Sequence, residues 1–278
     1  MKDLKVALVH EWLISWGGSE SVLLSLARLF PDAPIFTSIY APDERVRATF
    51  PESRIRPSAL QRIPRVRSFY RGTLPLMPWA FGRMDLSKFD LVISSSHAFA
   101  KSVRMPPGAI HVCYCHTPPR YLWDLYESYN PGILGALRAP IMLHLRNRDA
   151  ESANGVHSFI ANSMYVADRI SRTYGRESTV IYPPVDVDEF ACSERNDKYY
   201  LAGGRMVDYK RLDLAIEAAN RRGLPLVVFG DGPERARLER LAGPTVDFIG
   251  QVSTKQLSVL VAQSRALLFP GVEDFGIL

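Results

Sequence analysis

An α/β protein of two Rossmann-like domains, each a parallel sheet wound between helices, is predicted by three features of the 278-residue sequence. Apolar runs of strand length alternate with helical patterns along the whole chain. The alternation breaks once, at Ile181-Tyr182-Pro183-Pro184-Val185-Asp186, where paired prolines continue neither a strand nor a helix, and then restarts. The length exceeds that of a usual single domain. Domains are therefore expected at 1–185 and 186–278.

The elements follow in order. Residues 4–12 (LKVALVHEW) read as a first strand, with a loop over 14–19. Residues 20–30 carry a helical stripe of Val22, Leu23, Leu26, Leu29 and Phe30, with Ser19 as the expected N-cap. Residues 33–40 and 89–100 supply later strands, and 109–118 (AIHVCYCHTP) is apolar enough for a central one, ended by Pro118-Pro119. A long helix is expected over 134–152, a strand over 157–163, a helix closed by Gly175, and a last strand from Ser178. After the linker, strands are expected over 198–206, 224–233, 246–252 and 265–272. The helices between them begin near Lys210, Pro233 and Ser253. Four strands are few for a complete doubly wound domain.

Composition is that of a globular protein, with 47% hydrophobic and 23% charged residues. Cys113, Cys115 and Cys192 form no disulfide framework, and Cys113 and Cys115 read as small core residues of a reducing compartment. His111 and His116 stand near them, but no second pair of ligands follows, so no metal site is expected. Asp3, His10 and Glu11 interrupt any signal-peptide core, and no apolar run reaches transmembrane length. The expected location is the cytoplasm, at most peripheral to the inner face of the cytoplasmic membrane.

The net charge of +5 is uneven: residues 1–185 carry 22 Lys/Arg against 15 Asp/Glu, and the remainder 12 against 14. Arg45–Arg83 holds nine arginines and one acid, Glu52, interleaved with Pro57, Phe69, Tyr70 and Trp79. Such a segment is either a solvated surface or a contact for anionic lipid headgroups or a polyanionic acceptor. No nucleic-acid-binding signature accompanies it, and no nucleic-acid partner is expected.

Several motifs stand at predicted strand ends, the usual ligand crevice of open α/β sheets. Gly17-Gly18-Ser19-Glu20 opens the first helix, either as a turn or as a loop that lets an anion approach free backbone N–H groups. It fits neither the dinucleotide fingerprint nor a P-loop. His116 and Arg120 follow the central strand, with Tyr121 and Trp123 as aromatic faces for a sugar; alternatively His116 is a satisfied strand-end histidine. Arg205, after an Ala-Gly-Gly turn, and Lys210 make two cations at a helix start, suited to a diphosphate or to salt bridges with Asp208 or Asp213. Phe269–Gly276 places Glu273 and Asp274 just past a strand, where carboxylates suit sugar hydroxyls.

Together these motifs resemble the retaining GT-B glycosyltransferases of family 4. The Gly-Gly-x-Glu loop, the strand ending on His116, Ile160-Ala161-Asn162-Ser163, the Ile181–Asp186 segment, the Arg205 to Lys210 pair, Phe229–Pro233 and Pro270–Gly276 occur in the family order. Residues 114–124 (YCHTPPRYLWD) resemble bacterial mannosyltransferases of O-antigen and exopolysaccharide assembly. The resemblance implies two domains facing across a cleft and metal-independent transfer of a hexose, with GDP-mannose as the expected donor. It implies no cofactor and a saccharide or lipid-linked saccharide acceptor. His116 and Glu273 would act on the donor sugar. Arg205, Lys210, Gly17, Gly18, Asp274, Phe275 and Gly276 would hold the donor or its diphosphate. Glu20, Arg120, Tyr121 and Trp123 are the expected acceptor or sugar contacts. The family pattern places a second glutamate eight positions after Glu273, beyond Leu278, so a longer parent chain with a completed second domain is expected. The competing expectations are a non-catalytic nucleotide-sugar or polyanion-binding module, an inactive fragment, or another GT-B enzyme such as an inverting transferase or an epimerase.

Overall fold

A computed structural model describes residues 4–190 and 198–278, so Cys192 lies outside the described residues. The chain divides into one unit of residues 1–184 with 274–278, and a second of 185–273.

The first unit opens with β1 (Val6–His10), α1 (Gly18–Leu29), β2 (Ile35–Thr37), α2 (Glu44–Thr49), β3 (Ile55–Pro57), α3 (Val66–Phe69) and α4 (Met77–Gly82). It continues with β4 (Leu91–Ser96), β5 (Ile110–Cys115), α5 (Tyr126–Tyr129), α6 (Gly132–Asn154), β6 (Ser158–Ala161), α7 (Met164–Tyr174) and β7 (Ser178–Val180). The strands form one parallel sheet in the order β3-β2-β1-β4-β5-β6-β7. Burial on both faces explains why β1 is apolar from Val6 to Val9. Val6 and Leu8 join Leu23, Ile35 and Ile93 on one face, while Ala7 and Val9 join Ile39, Phe81 and Phe99 on the other. Cys113 and Cys115 are free and buried against Phe159 and Ala161, as their alternation in the apolar run implies.

Three local expectations change. Ser19 does not cap α1: the cap position is Gly17, without a side-chain hydrogen bond, and the Ser19 hydroxyl donates to Glu20 Oε2 at 3.0 Å. The arginine-rich stretch contains an edge strand, β3, too short to show a period. It also spends Arg54 on the backbone carbonyls of Phe30 and Ala33 at 2.9 and 2.8 Å, just past the end of α1. Lys101, a residue type expected at the surface, is buried in an ion pair with Asp149 of α6.

The second unit comprises β8 (Tyr199–Gly203), α8 (Leu212–Arg222), β9 (Leu226–Phe229), α9 (Arg235–Leu241), β10 (Val246–Gly250), α10 (Thr254–Gln263) and β11 (Ser264–Leu267). Its parallel sheet runs β10-β9-β8-β11 over a core of Met206, Leu212, Ile216, Val228 and Leu238. A capping box of Ser253 and Gln256 starts α10. Lys210 sits not in α8 but in a 3-10 turn, Asp208–Lys210, from which Arg211 enters α8 in the left-handed region at φ 50°. Pro233 precedes the cap of α9, Glu234, instead of standing in its first turn. Both units are Rossmann-like, the pair expected of a GT-B protein. Among the described residues no helix is long and apolar enough to cross a membrane.

Candidate active site

In each sheet the winding direction reverses beside the first strand, between β1 and β4 in the first unit and between β8 and β11 in the second. The loops at the carboxyl ends of such a pair diverge and leave a crevice. Both crevices hold charged or titratable side chains.

In the first unit, parallel register sets His10 at the end of β1 beside Ser95 near the end of β4. His116 follows β5 directly, and its backbone N–H donates to Ser96 O at 2.9 Å. The Ser95 hydroxyl lies 3.1 Å from His10 Nδ1 and 2.8 Å from His116 Nε2. His10 Nε2 is 3.2 Å from Glu20 Oε1 on α1. One hydrogen-bonded chain thus joins α1, β1, β4 and the loop after β5. Beside it, the buried Glu11 carboxylate accepts at Oε1 from the Ser96 hydroxyl at 3.0 Å and from the N–H groups of His97, Ala98 and Ala100 at 3.2, 2.7 and 2.9 Å. That cradle shapes the segment that carries His97, whose ring centroid lies 6.4 Å from that of His116.

The electrostatics follow from this burial. Burial, then the neighbouring His97 and His10, push the His116 imidazole well below the usual histidine range. Burial also lowers His97, against the opposing pull of Glu11. For Glu20, burial raises the carboxyl, but the hydrogen bond and charge of His10 outweigh it, and the net direction is down. The crevice therefore presents His116 and His97 as neutral imidazoles beside an ionised Glu20.

The expected residues of this unit fall into two groups. Gly17 and Gly18 open α1 with no side-chain cap. Gly18 keeps a negative φ, and a Cβ there would meet nothing within 4 Å. The backbone does not demand glycine at Gly18, but the Glu20 carboxylate already lies at the start of α1, with Oε2 3.1 Å from where a Cβ on Gly17 would stand. Glu20, by contrast, is only 4% exposed and is spent on His10. Arg120 pairs with Asp274, which also takes Arg169 Nη1 at 2.8 Å, while Arg169 Nε lies 2.6 Å from Asp124 Oδ2. Trp123 is tied to the core: its indole N–H donates to Asp149 at 2.8 Å, and Arg146 lies 5.1 Å from its ring. The Tyr121 hydroxyl is buried without a partner among the described residues, and burial pushes it well above the usual tyrosine range. Phe275 packs at 5.7 Å from Tyr182, and Gly276 takes φ 75°.

In the second unit β8 ends on Gly203, the loop after it carries Gly204 and Arg205, and the loop after β11 carries Phe269–Glu273. Lys210 Nζ meets Glu273 Oε1 at 3.1 Å, each side chain 18% exposed. Neither alternative partner, Asp208 or Asp213, takes Lys210; Asp213 is held instead by Arg211 at 3.1 Å. Glycine is required around this pair. A Cβ on Gly204, at φ 108°, would stand 3.0 Å from Lys210 Nζ, and one on Gly230 would stand 1.9 Å from Gly204 O. Arg205 is exposed and makes no ion pair among the described residues. Among the described residues no group of three or more His, Cys, Asp or Glu is arranged to hold a metal ion.

His10, Glu11, Ser95 and His97 are the site residues that pattern reasoning misses. The available signal is polar side chains closing an apolar strand, in His10-Glu11 and in Ser94–His97.

Comparison with known proteins agrees with this architecture. The model for Glycosyltransferase Family 4 matches residues 16–189, and that for Glycosyl transferases group 1 matches residues 188–278. The chain belongs to glycosyltransferase family 4. The protein is a glycosyltransferase that takes its sugar from a nucleotide-sugar donor. No curated protein matches the sequence. Among solved structures, Anabaena Alr3699/HepE in complex with UDP and glucose is 16% identical, with 98% of this chain and 76% of that chain covered and a TM-score of 0.65. Sucrose-phosphate synthase from Thermosynechococcus elongatus is 15% identical, covering 98% and 77%, with a TM-score of 0.67. At these identities the likeness is one of fold.

Proposed function

We propose that the transferred group is a hexose, specifically mannose from GDP-mannose, and that it passes to a saccharide or lipid-linked saccharide with retention of anomeric configuration. The observation that carries the donor reading is Lys210 beside Glu273 at the β8/β11 reversal, in a cradle that admits only glycine at Gly204. Lys210, with the exposed Arg205, neutralises the diphosphate as it leaves, a task other glycosyltransferases give to a metal. Glu273 then accepts hydrogen bonds from donor-sugar hydroxyls, with Asp274, Phe275 and Gly276 completing its loop. His116, kept neutral, contacts the donor sugar without opposing the positive charge that develops at its anomeric carbon. Gly17 and Gly18, whose lack of side chains lets a ligand come close to the backbone at the start of α1, are read as contacts of the diphosphate or the acceptor. Glu20, Arg120 and Trp123 are already engaged with His10, Asp274 and Asp149, and Tyr121 remains the aromatic acceptor contact.

Mannose is favoured by residues 114–124 and their resemblance to bacterial mannosyltransferases, whereas the HepE complex holds UDP and glucose. A thermal-shift screen against GDP, UDP and ADP sugars separates them. At a hundredfold excess over Kd the matching nucleotide adds about 2.7 kcal/mol, or roughly 5 °C or more for a chain of this size. GDP-mannose is expected to give the largest shift; a larger UDP-sugar shift would contradict the mannose assignment.

The arginine-rich segment is proposed as a peripheral contact with an anionic membrane. Its support is the exposed Arg62, Arg65, Arg67 and Arg71 beside Phe69, Leu76 and Trp79, which are 46%, 49% and 48% exposed. Binding to phosphatidylserine vesicles should fall as salt rises. Equal binding to neutral and anionic vesicles would contradict the contact.

A further inference from the structure

The chain Glu20–His10–Ser95–His116 contains one hydroxyl proton that two imidazoles compete for, and its geometry leaves few ways to place it. A carboxylate only accepts, so the 3.2 Å contact with Glu20 Oε1 requires a proton on His10 Nε2. When His10 is neutral its Nδ1 is therefore an acceptor, and the Ser95 hydroxyl, 3.1 Å away, donates to it. With that proton spent, Ser95 Oγ meets His116 Nε2 at 2.8 Å only as an acceptor. His116 must then carry its proton on Nε2. Its Nδ1, which makes no hydrogen bond among the described residues, is left with a bare lone pair.

A further proton on His10 reverses both bonds to Ser95, while His10 Nε2 still donates to Glu20. Nδ1–H of His10 donates to Ser95, Ser95 donates to His116 Nε2, and His116 carries its own proton on Nδ1. Ser95 passes its own proton to His10 Nδ1 and takes up the one on His116 Nε2, and His116 regains a proton at Nδ1 from outside the chain. The titratable groups that face His10 are Glu20 from α1, His97 from the segment after β4 and His116 after β5, one carboxylate and two imidazoles, with Glu11 acting on His97 behind them.

We propose that Glu20, His10 and Ser95 are positioning residues forming a relay that couples the protonation of His10 to the tautomer of His116. The relay decides whether His116 Nδ1 accepts a hydrogen bond or donates one. Its use in catalysis rests on the reading of His116 as the donor-sugar contact. In the neutral state Nδ1 accepts from a sugar hydroxyl; in the protonated state it offers an N–H to a sugar oxygen. His10 is fully buried and Glu20 nearly so, which keeps water from substituting for their contact, while His116 is partly exposed.

The test is ¹⁵N NMR of the protein labelled at histidine and titrated with acid, with His116→Gln used to assign the resonances. The expected result is that the two ring nitrogens of His116 exchange protonation character as His10 takes up its proton. In Ser95→Ala the His116 signals no longer follow His10, and in Ser95→Thr, which restores the hydroxyl, they do. If Ser95→Ala does not fold, Glu20→Ala, which removes the acceptor that orients His10 without touching a strand, should uncouple the two signals. A His116 that ignores His10 in the wild type, a His10 that does not titrate while the protein is folded, or identical coupling in Ser95→Ala would each overturn the relay. The readout needs no turnover. Coupling that is absent while sugar transfer is intact removes the relay alone, and coupling that is present in an inert protein removes the donor-sugar reading of His116 alone.

Discussion

Replacing Lys210 with alanine is expected to lower sugar transfer by roughly 10²- to 10³-fold, the range found when one preorganised group opposite a developing charge is removed. Two losses combine. The diphosphate loses the cation fixed between the loops after β8 and β11, and Glu273, 18% exposed, loses its 3.1 Å partner and repels the incoming anion. Lys210→Arg should rescue little. The lysine amine already lies 3.0 Å from where a Cβ on Gly204 would stand, and a planar guanidinium needs more room than a point charge. The measurement is kcat/KM for donor in the three proteins, with unfolding curves as a control for intact folding. A loss below about threefold in Lys210→Ala would remove the diphosphate role, since a single charge-assisted contact exceeds that.

Lys101→Met should destabilise the protein by about 3–5 kcal/mol, the cost of leaving a buried charge without its partner. Lys101 and Asp149 are 2% and 0% exposed in their side chains. Burial alone would lower the Lys101 ammonium, but the charge and hydrogen bond of Asp149 override it, and the net direction is up. Asp149 also accepts from Trp123 Nε1 at 2.8 Å and from the Tyr174 hydroxyl at 2.9 Å, so the lone carboxylate cannot turn toward solvent. Lys101 Nζ donates to Ala98 O at 2.9 Å, within the segment whose amides hold Glu11. The loss is therefore expected to loosen His97 as well as α6. Replacing both charges, Lys101→Met with Asp149→Leu, should cost less than Lys101→Met alone, because no buried charge is then left without a partner, only the neutral Trp123 and Tyr174 donors and the Ala98 carbonyl. Urea unfolding of both variants checks the order, and a double variant less stable than the single one would contradict it.

Much of this architecture was legible in the sequence, and its limits have physical causes. Parallel strands buried on both faces read as short apolar runs, so β1, β4, β5, β8 and β9 stand out, whereas β3 is three residues at a sheet edge and shows no period. Motifs at strand ends locate Gly17, His116, Lys210 and Glu273 because strand ends are where such sheets expose backbone. What sequence could not supply is register. His10 and Ser95 are 85 residues apart, and only the β1/β4 pairing makes them neighbours. Read alone, His10 and Glu11 merely interrupt an apolar run. The same limit misassigns Ser19, a good cap by residue type, whose hydroxyl is drawn to Glu20, and Trp123, an aromatic after a strand end whose indole N–H finds Asp149 in α6. Cation pairing is similarly hidden, since the partner of Lys210 lies 63 residues on rather than in its own helix.

The most direct test of the central claim is release of nucleoside diphosphate from a panel of GDP, UDP and ADP sugars, with saccharide and lipid-linked acceptors, in the presence of a chelator. The predicted result is release from one donor, undiminished by the chelator, strongly reduced in Lys210→Ala and giving a product of retained anomeric configuration. Binding of a nucleotide sugar without release under any acceptor would contradict it and identify the protein as a binding module.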